Sequence, residues 1–330
     1  MAQVGVVGAG IAGLACAAVL REAGHQVALF DKGRGPGGRM STRRVVGGMR
    51  FDHGAQYFTV HTPEFAEQVA VWEAAGVAAP WPGRFLEVLD PADDAPQSDI
   101  RWVGMPAMNV IVRHEAQLYG ARFTIRISRL SKRGKGWHLH SEQGARHGPY
   151  DAVALALPAP QAAGLLEGVS DELHARVREV VMAPCWAVMM ALSEPLELPF
   201  DGLKLSGDPL IWAARDSAKP GRPEGGPECW VLQAGPDWSR VHLEDDAAYV
   251  TANLIDAFAR IVPGQSFHIA RAGAHRWRHA RVEVPAGEPA LFDADAAVGM
   301  CGDWCIGPRV EAAWLSGREL GMKLVAALGG

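Results

Sequence analysis

The sequence predicts an α/β chain, α+β overall, in which a domain on a parallel sheet is joined to a second domain on an antiparallel sheet plus helices. Residues 4–24 have the pattern of a buried strand, a glycine turn and a helix. The same strand–helix pattern returns at residues 150–166 and 297–328, whereas residues 180–280 hold several longer strands. At 330 residues the chain is long enough to form two hydrophobic cores.

The N-terminal turn has the glycine spacing of a dinucleotide site. Gly8 allows a tight turn after the strand, Gly10 allows a pyrophosphate to approach the backbone, and Gly13 allows the helix to pack on the strand. The amino end of that helix would face the phosphates with free N–H groups and its positive dipole. Asp31 ends the second strand at roughly the 20-residue separation from which its carboxylate can accept hydrogen bonds from a ribose diol.

A glycine-rich, basic loop at residues 32–43 directly follows that strand. Such a loop can lie across a diphosphate, with Arg39 as the charge partner. The next segment, residues 49–60, is predicted to be a strand or extended segment with a kink at Gly54. Gly54 would let the backbone pass close to a flat ring, with Gln56 and Tyr57 at the wall of a site. A hydrogen-bonded structural turn explains the same residues equally well.

Helices, irregular backbone and strands are predicted to alternate over the middle of the chain. Phe65, Val69 and Trp72 recur at the spacing of one helix face, and Pro106 suits the first turn of a helix. The predicted elements are a helix over 63–75, irregular backbone over 77–104 with a mobile acidic loop at 90–96, a helix over 105–119, a hairpin of 122–127 and 137–140, a buried parallel strand over 150–157 and a helix near 161–166.

The second half is predicted to be an antiparallel sheet with a helix, followed by a return to the parallel sheet. Its predicted elements are strands at 180–192, 210–214, 229–234 and 269–272, a helix over 245–261, a strand at 297–301, a turn at 302–304 and a helix from 307 to 328. The turn after the last strand again meets a helix N-terminus. Ligands of such sheets bind at the carboxyl ends of the strands.

Composition excludes several classes of function. The net charge is −5 with a pI of about 6.2, and the charges are interspersed, which argues against nucleic acid or an anionic membrane as the main partner. The 5 cysteines form no CxxC pair, and no metal-ligand or hydrolase-triad pattern is present. Neither a signal peptide nor a membrane-spanning run is recognisable. We therefore expect a cytoplasmic protein without a bound metal.

Taken together, the motifs resemble those of the FAD-dependent amine-oxidase-type flavoproteins, and the nearest subgroup is renalase of the bacterial type. The residues that carry the resemblance are Gly8, Gly10, Gly13 and Asp31, the loop 31–41 with Gly37-Gly38-Arg39, the segments 51–58 and 275–277, and the stretch 301–317 with Gly302-Asp303. The FAD part of this resemblance is specific, whereas the renalase part depends on residues 51–58 and 301–317.

The resemblance implies a Rossmann-like FAD-binding domain of the GR2 type. This domain would be discontinuous, formed by residues 1–60, 120–165 and 290–330, and the substrate domain would comprise residues 61–119 and 166–289. The FAD would be bound non-covalently. The cofactor-binding residues implied by the resemblance and the motifs are Gly8, Gly10, Ile11, Ala12, Gly13, Asp31, Lys32, Gly38, Arg39, Met40, Gly54, Ala55, Gln56, Ile127, Gly302, Asp303, Val310, Glu311 and Ala312.

The implied reaction is oxidation of 2- and 6-dihydro isomers of NAD(P)H to NAD(P)⁺, after which the reduced flavin gives its electrons to O2 and forms H2O2. Hydride transfer needs alignment more than acid–base help, and a nicotinamide ring favours aromatic walls. The candidate substrate residues are Gln56, Tyr57, Phe58, Thr59, Trp186, Trp277 and Trp304. Any one of the tryptophans could instead pack in the core, and no catalytic side chain is assigned, although His53, His275 and His279 are candidate bases or structural residues.

Other functions remain open at this point. An amine oxidase or desaturase would have the same fold, although the lysine that such enzymes often place near flavin N5 has no counterpart in residues 275–280. A flavin-binding protein without turnover is a second alternative. An NAD-dependent dehydrogenase is a third, but it would leave the Gly-Gly-Arg loop and the Gly302-Asp303 turn unexplained. The oligomeric state and the choice between NAD and NADP are not predicted.

Overall fold

The computed structural model describes residues 1–88, 99–262 and 264–329. The strands are β1 Gln3–Val7, β2 Gln26–Phe30, β3 Thr42–Arg44, β4 Arg50–Asp52, β5 Ala78–Pro80, β6 Phe85–Val88, β7 Trp102–Gly104, β8 Ile127–Arg133, β9 Gly136–Ser141, β10 Arg146–Tyr150, β11 Ala152–Leu155, β12 Val181–Leu192, β13 Gly202–Leu205, β14 Leu210–Arg215, β15 Glu228–Ala234, β16 Ile269–Val284, β17 Leu291–Asp293 and β18 Val298–Met300. The helices are α1 Ile11–Glu22, α2 Pro63–Ala74, α3 Asn109–Tyr119, α4 Ala159–Leu166, α5 Asp171–Arg178, α6 Pro236–Val241, α7 Ala247–Ile261 and α8 Val310–Leu328.

A five-stranded sheet in the order β17-β18-β11-β1-β2 carries the N-terminal glycine turn. Strands β2, β1, β11 and β18 run parallel, and β17 is an antiparallel edge strand. The apolar residues of β1, β11 and β18 are buried because helices cover one face, and a three-stranded sheet with further helices covers the other. The carboxyl ends of β1, β11 and β18 meet at one edge, where Gly8, Ala156 and Cys301 follow them.

Helices α1 and α8 pack closely on one face of this sheet. A Cβ atom at Gly317 would lie 2.0 Å from the carbonyl oxygen of Ala12, so only glycine permits this approach. The opposite face is covered by a three-stranded antiparallel sheet in the order β10-β9-β8 and by α4 and α5. The amino ends of α1 and α8 therefore open on the same edge of the sheet.

Another sheet, formed mainly by the second half of the chain, has six strands in the order β16-β12-β15-β14-β13-β6. Its strands are antiparallel neighbours except for β13 and β6, which pair in parallel. Helix α7 covers one face, where Trp230 and Phe258 pack with ring centroids 5.1 Å apart. The other face packs on residues 51–58. There, Gln233 on β15 donates a hydrogen bond of 2.7 Å to the carbonyl of Gly54.

The predicted fold class is confirmed, and four local expectations are wrong. The described parts of 77–104, residues 77–88 and 99–104, are not wholly irregular: the short strands β5 and β7 pair with each other, and β6 joins the six-stranded sheet. Helix α3 begins at Asn109 rather than at Met105, since residues 105–108 form the turn that brings the helix to β4. The acidic loop expected at 90–96 lies outside the described residues.

The remaining two differences concern strands. The first strand of the hairpin is predicted at 122–127, but β8 begins only at Ile127. Arg122 lies outside the hairpin and forms an isolated bridge with Phe30. The predicted strand 269–272 and the segment 275–280 form a single 16-residue strand, β16, which pairs with β12 over almost its whole length. The start of β8 and the extent of β16 both depend on pairing with strands that are distant in the sequence. The local residue pattern contains no information about this pairing.

Candidate functional site

A cleft of about 1880 Å³ opens at the carboxyl edge of the parallel sheet and extends beneath the six-stranded sheet. The glycine turn, the basic loop, residues 53–59, strand β16 and the N-terminus of α8 all line it. The predicted site residues that line it are Gly8, Gly10, Ile11, Ala12, Asp31, Lys32, Gly38, Arg39, Met40, Gly54, Ala55, Tyr57, Phe58, Thr59, Trp277, Gly302, Asp303 and Val310. The fold thus brings together segments that lie up to 300 residues apart.

The glycine turn has the geometry that its spacing predicts. Gly8 has a φ of +105°, and a Cβ there would lie 2.2 Å from the carbonyl oxygen of Ala156. Gly13 packs directly against this turn, and a Cβ added there would lie 1.9 Å from the Gly8 carbonyl oxygen, so the position requires glycine. A Cβ added at Gly10 would meet open space. No side chain caps α1, so its first N–H groups point into the cleft and are available to a ligand.

Asp31 lies at the end of β2 beside this turn. Its carboxylate accepts hydrogen bonds from the backbone N–H groups of Ala9 at 2.8 Å and Gly33 at 2.6 Å. These bonds fix the carboxylate against the glycine turn and leave each oxygen with a further lone pair. Asp31 can therefore hold the turn in place and still accept a hydroxyl donor from the cleft.

Arg39 and Asp303 form a bidentate ion pair. The guanidinium donates hydrogen bonds of 2.9 and 2.5 Å to the two carboxylate oxygens. The sequence suggested that each residue would contact a ligand separately. In the fold they join the basic loop to the turn after β18 and close one side of the cleft. Two parallel hydrogen bonds of this kind fix the orientation of both groups more strictly than a single contact does.

The N-terminus of α8 forms another wall. Val310 and Ala313 line the cleft, and Arg309 precedes the helix without any side-chain cap. Glu311 turns away and is 1% exposed; its Oε1 accepts hydrogen bonds from the N–H groups of His61 and Thr62 and from the Thr62 hydroxyl. Glu311 thus ties the segment after Thr59 to α8.

One wall of the cleft is aromatic. The rings of His53 and Trp277 lie 5.2 Å apart, those of His275 and Trp277 lie 4.5 Å apart, and Trp277 Nε1 donates to the His53 carbonyl at 2.8 Å. Burial, reinforced by His275 and Arg43, lowers the pKa of His53 to about 3. Burial and the Arg43 charge also lower the pKa of His275. Both imidazoles are therefore neutral near pH 7 and present a polar, uncharged surface.

Seven predicted site residues do not line the cleft. Gly13, Ile127 and Ala312 pack behind it, and Glu311 is turned away. Gln56 is 5% exposed and donates to the carbonyls of Asp52 and Gly54. Trp186 and Trp304 lie in the hydrophobic cores, where their indole N–H groups donate to the carbonyls of His242 and Leu157.

A buried network of charges behind the cleft has no counterpart in the sequence predictions. Asp52, Asp216 and Lys219 have side chains 0% exposed, and Arg222 is 3% exposed. Lys219 Nζ lies 2.8 Å from Asp216 and 3.3 Å from Asp52, and Arg222 contacts both carboxylates. Burial opposes ionisation of Asp52, but the charges of Lys219 and Arg222 outweigh it and lower its pKa. Because Asp52 and Asp216 lie far apart in the sequence, no local pattern indicates the network.

The cysteines offer no reactive thiol to a flavin. Cys16, Cys185, Cys229, Cys301 and Cys305 are all free. Burial raises the pKa of the Cys305 thiol to about 12, so it is protonated near pH 7. In the described ranges, His, Cys, Asp and Glu side chains form no group of three or more that could hold a metal ion. None of the described helices combines the length and apolar character needed to cross a bilayer.

The chain is similar to a known family, to a known protein and to solved structures. Residues 6–72 match the family model of an NAD(P)-binding Rossmann-like domain. Renalase from Mus musculus is 27% identical over 303 residues, covering 86% of each chain. Among solved structures, a candidate protoporphyrinogen oxidase from Exiguobacterium sp. 255-15 superimposes with a TM-score of 0.76 at 12% identity, covering 98% of this chain and 99% of that one.

A putrescine oxidase with bound putrescine superimposes with a TM-score of 0.70, also at 12% identity, and covers 98% of this chain and 99% of that one. At this identity the structures share the fold alone. The similarity to renalase extends over most of both chains. The resemblance predicted from the sequence motifs, to renalase within the amine-oxidase-type flavoproteins, is therefore confirmed, and with it the oxidoreductase class and the FAD cofactor.

Proposed function

We propose that this chain is an FAD-dependent oxidase of 2- or 6-dihydro isomers of NAD(P)H, which it converts to NAD(P)⁺. The observation that carries the proposal is one continuous cleft lined both by the glycine turn and by the Trp277–His53–His275 wall. Its volume of about 1880 Å³ exceeds the roughly 300–1,000 Å³ of an ordinary ligand pocket. The cleft has room for FAD and for a second ligand of similar size.

The residues around the glycine turn fit FAD. The uncapped amino ends of α1 and α8 supply N–H donors and positive dipoles for the diphosphate and the ribityl chain. Asp31 retains lone pairs for a ribose diol, and the Arg39–Asp303 pair fixes the two loops between which the cofactor would lie. When bound, FAD supplies the hydride acceptor and passes the electrons to O2, forming H2O2.

The role of the chain's own residues is alignment of the substrate. Trp277 offers an indole against which a nicotinamide ring can stack, held by its hydrogen bond to His53. The two imidazoles, which are themselves neutral, can hydrogen-bond a carboxamide, and the Arg43 guanidinium lies 3.3 Å from His275 Nδ1. Alignment of donor and acceptor within roughly 3–3.5 Å contributes most of what such a reaction requires from the protein.

An amine oxidase is the second candidate, and the fold shared with putrescine oxidase is the observation in its favour. The electrostatics of the cleft argue against it. Basic side chains far outnumber carboxylates along the described lining, although the whole chain has a net charge of −5. The lining carboxylate of Glu87 is paired with Arg101 at 3.2 Å and Lys204 at 3.6 Å. Such a cleft attracts an anionic dinucleotide and repels a cationic amine.

Anaerobic stopped-flow absorbance of the FAD-loaded protein tests the proposal. The protein is mixed in turn with 6-dihydro-NAD, 2-dihydro-NAD, ordinary NADH and a panel of amines. We expect fast flavin bleaching with at least one isomer, NAD⁺ as product, and slow reaction with ordinary NADH. On admission of air, H2O2 should form in proportion to NAD⁺. Bleaching by amines alone would assign the amine-oxidase function instead, and no bleaching by any compound would point to a flavin-binding protein without turnover.

A further inference from the structure

Three arginines come together at the edge of the cleft. Arg44 on β3 and Arg50 on β4 are direct cross-strand partners, and Arg113 lies on the first turns of α3, which docks on the same two strands. The docking is fixed by Thr42, whose hydroxyl accepts from the Asn109 N–H at 3.3 Å and donates to Asp52 at 2.6 Å. Arg44 and Arg113 line the cleft.

This arginine cluster, Arg44, Arg50 and Arg113, opposes folding rather than supporting it. Like charges directly opposite on paired strands repel. Burial lowers the pKa of Arg113, and the neighbouring charges of Arg44 and Arg50 lower it further. Within the described ranges none of the three guanidiniums forms an ion pair with a carboxylate. A group of guanidiniums without carboxylate partners at the edge of a cleft, two of them half-buried and one exposed, is typical of an anion-binding site.

Asn109 supplies a second, independent indication. Its side chain lines the cleft beside Arg113, is 8% exposed, and has an amide oxygen with no hydrogen-bond partner among the described residues. Buried amide oxygens are nearly always paired, so an orphaned one beside a cleft suggests a donor on a ligand. A sugar hydroxyl next to a phosphate would meet both requirements.

We propose that the arginine cluster and Asn109 form a phosphate-binding subsite for the dinucleotide substrate, with the amide oxygen of Asn109 accepting a hydrogen bond from the adjoining ribose. The inference rests on the proposed function and identifies how that site selects a dinucleotide. FAD also carries phosphates, but the glycine turn and the amino end of α1 already supply donors to its diphosphate. Arg44 is exposed and can be reached by a ligand that exchanges at each turnover.

The test is a series of 6-dihydro substrates with increasing phosphate content: the nicotinamide riboside, the mononucleotide, NAD and NADP. Steady-state kinetics are measured on the FAD-loaded wild type and on Arg113→Gln and Arg44→Gln. Arg178→Gln, an exposed arginine on α5 away from the cleft, is the matched control. In the wild type, KM should fall by about tenfold or more once the required phosphate is present, as a charge-assisted hydrogen bond allows.

The cleft variants should raise KM for the phosphorylated substrates by roughly ten- to a hundredfold and leave kcat and the riboside KM within about twofold. Arg178→Gln should change neither. The Tm of the ligand-free variants should equal or exceed that of the wild type, because the substitution relieves repulsion. The substrate in the series at which the variant and the wild type first differ identifies the phosphate.

Three results would overturn the subsite: equal KM values for riboside and NAD isomers in the wild type, a parallel rise in the riboside KM of the variants, or a loss of FAD affinity with an unchanged substrate KM. The last would assign the cluster to the cofactor. If no isomer is oxidised at all, the proposed function fails, and calorimetric titration with ADP-ribose still decides the subsite. Binding that Arg113→Gln leaves unchanged would then contradict it.

Discussion

At the scale of single residues, Asp303 both belongs to the predicted cofactor site and forms an ion pair with Arg39, and the sequence indicates only the first of these roles. It lies on the turn after β18 and neutralises Arg39 through two hydrogen bonds. We predict that Asp303→Ala weakens FAD binding by about ten- to a hundredfold, since loss of charge-assisted bonds leaves Arg39 unpaired and the two loops unlinked. Flavin retained after ultrafiltration measures the effect, and the exposed Asp256→Ala is the control. Equal flavin content in Asp303→Ala and Asp256→Ala would show that Asp303 does not contribute to cofactor binding.

The buried His53 gives the protein a specific sensitivity to acid. Its folded-state pKa of about 3 lies below the ordinary value of 6.5, so the unfolded chain binds more protons and stability falls as the pH drops from 6.5 toward 3. At pH 5 this amounts to roughly 2 kcal/mol relative to pH 7.5. We predict that the free energy of unfolding of His53→Gln falls between pH 7.5 and pH 5 by roughly 2 kcal/mol less than that of the wild type. Urea unfolding with FAD in fixed excess measures this difference. The exposed His268→Gln should follow the wild type, and parallel curves for His53→Gln and wild type would refute the burial argument.

At the scale of elements, the contact between α1 and α8 holds both helix N-termini at the cleft. A Cβ added at Gly317 would lie 2.0 Å from the Ala12 carbonyl oxygen, so an alanine would push the helices apart. We predict that Gly317→Ala destabilises the protein by about 1–3 kcal/mol and also lowers FAD affinity. Gly164 on α4 has nothing within 4 Å of its Cβ position, so Gly164→Ala should stabilise by roughly 0.5–1 kcal/mol. Thermal unfolding of the two variants should shift in opposite directions; a shift in the same direction would contradict the packing argument.

At the scale of the whole molecule, the buried charge network joins distant parts of the chain behind the cleft. Lys219 and Arg222 follow β14 of the six-stranded sheet, whereas Asp52 belongs to β4 and holds the amino end of α3 through the Met108 N–H at 3.0 Å. We predict that Lys219→Met destabilises by roughly 3–5 kcal/mol, because two carboxylates then share too little positive charge in a dry interior. Lys323 is half-buried on α8, and Lys323→Met, which breaks an i,i+4 pair with Glu319, should cost less than about 1 kcal/mol.

Urea unfolding of both lysine variants checks this prediction. A double variant, Lys219→Met with Asp216→Asn, should recover part of the lost stability, since it removes the carboxylate that lies nearest to the missing ammonium. Additive losses in the double variant would mean that the two residues do not interact energetically, and the network would then not be the link between the sheet and β4.

The sequence by itself determined the features that depend on short-range spacing. The turn of Gly8, Gly10 and Gly13, the acid at Asp31 and the basic loop lie within about forty consecutive residues, and a side chain at Gly8 or Gly13 would collide with neighbouring backbone. The buried run of β11 and the strand–turn–helix around Gly302 carry the same kind of local pattern. For this reason the fold class and the resemblance to renalase could be predicted, whereas the domain division and the individual ligand contacts remain predictions.

Only the tertiary structure decided which side chains meet. Trp186 and Trp304 are core residues and Trp277 faces the cleft, yet all three occur in apolar or mixed runs that look alike in sequence. The Arg39–Asp303 pair, the charge network of Asp52 and Lys219, and the arginine cluster join residues that are separated by up to hundreds of positions. Such contacts arise from strand order and helix packing, because burial and long-range pairing depend on the whole chain rather than on neighbouring residues.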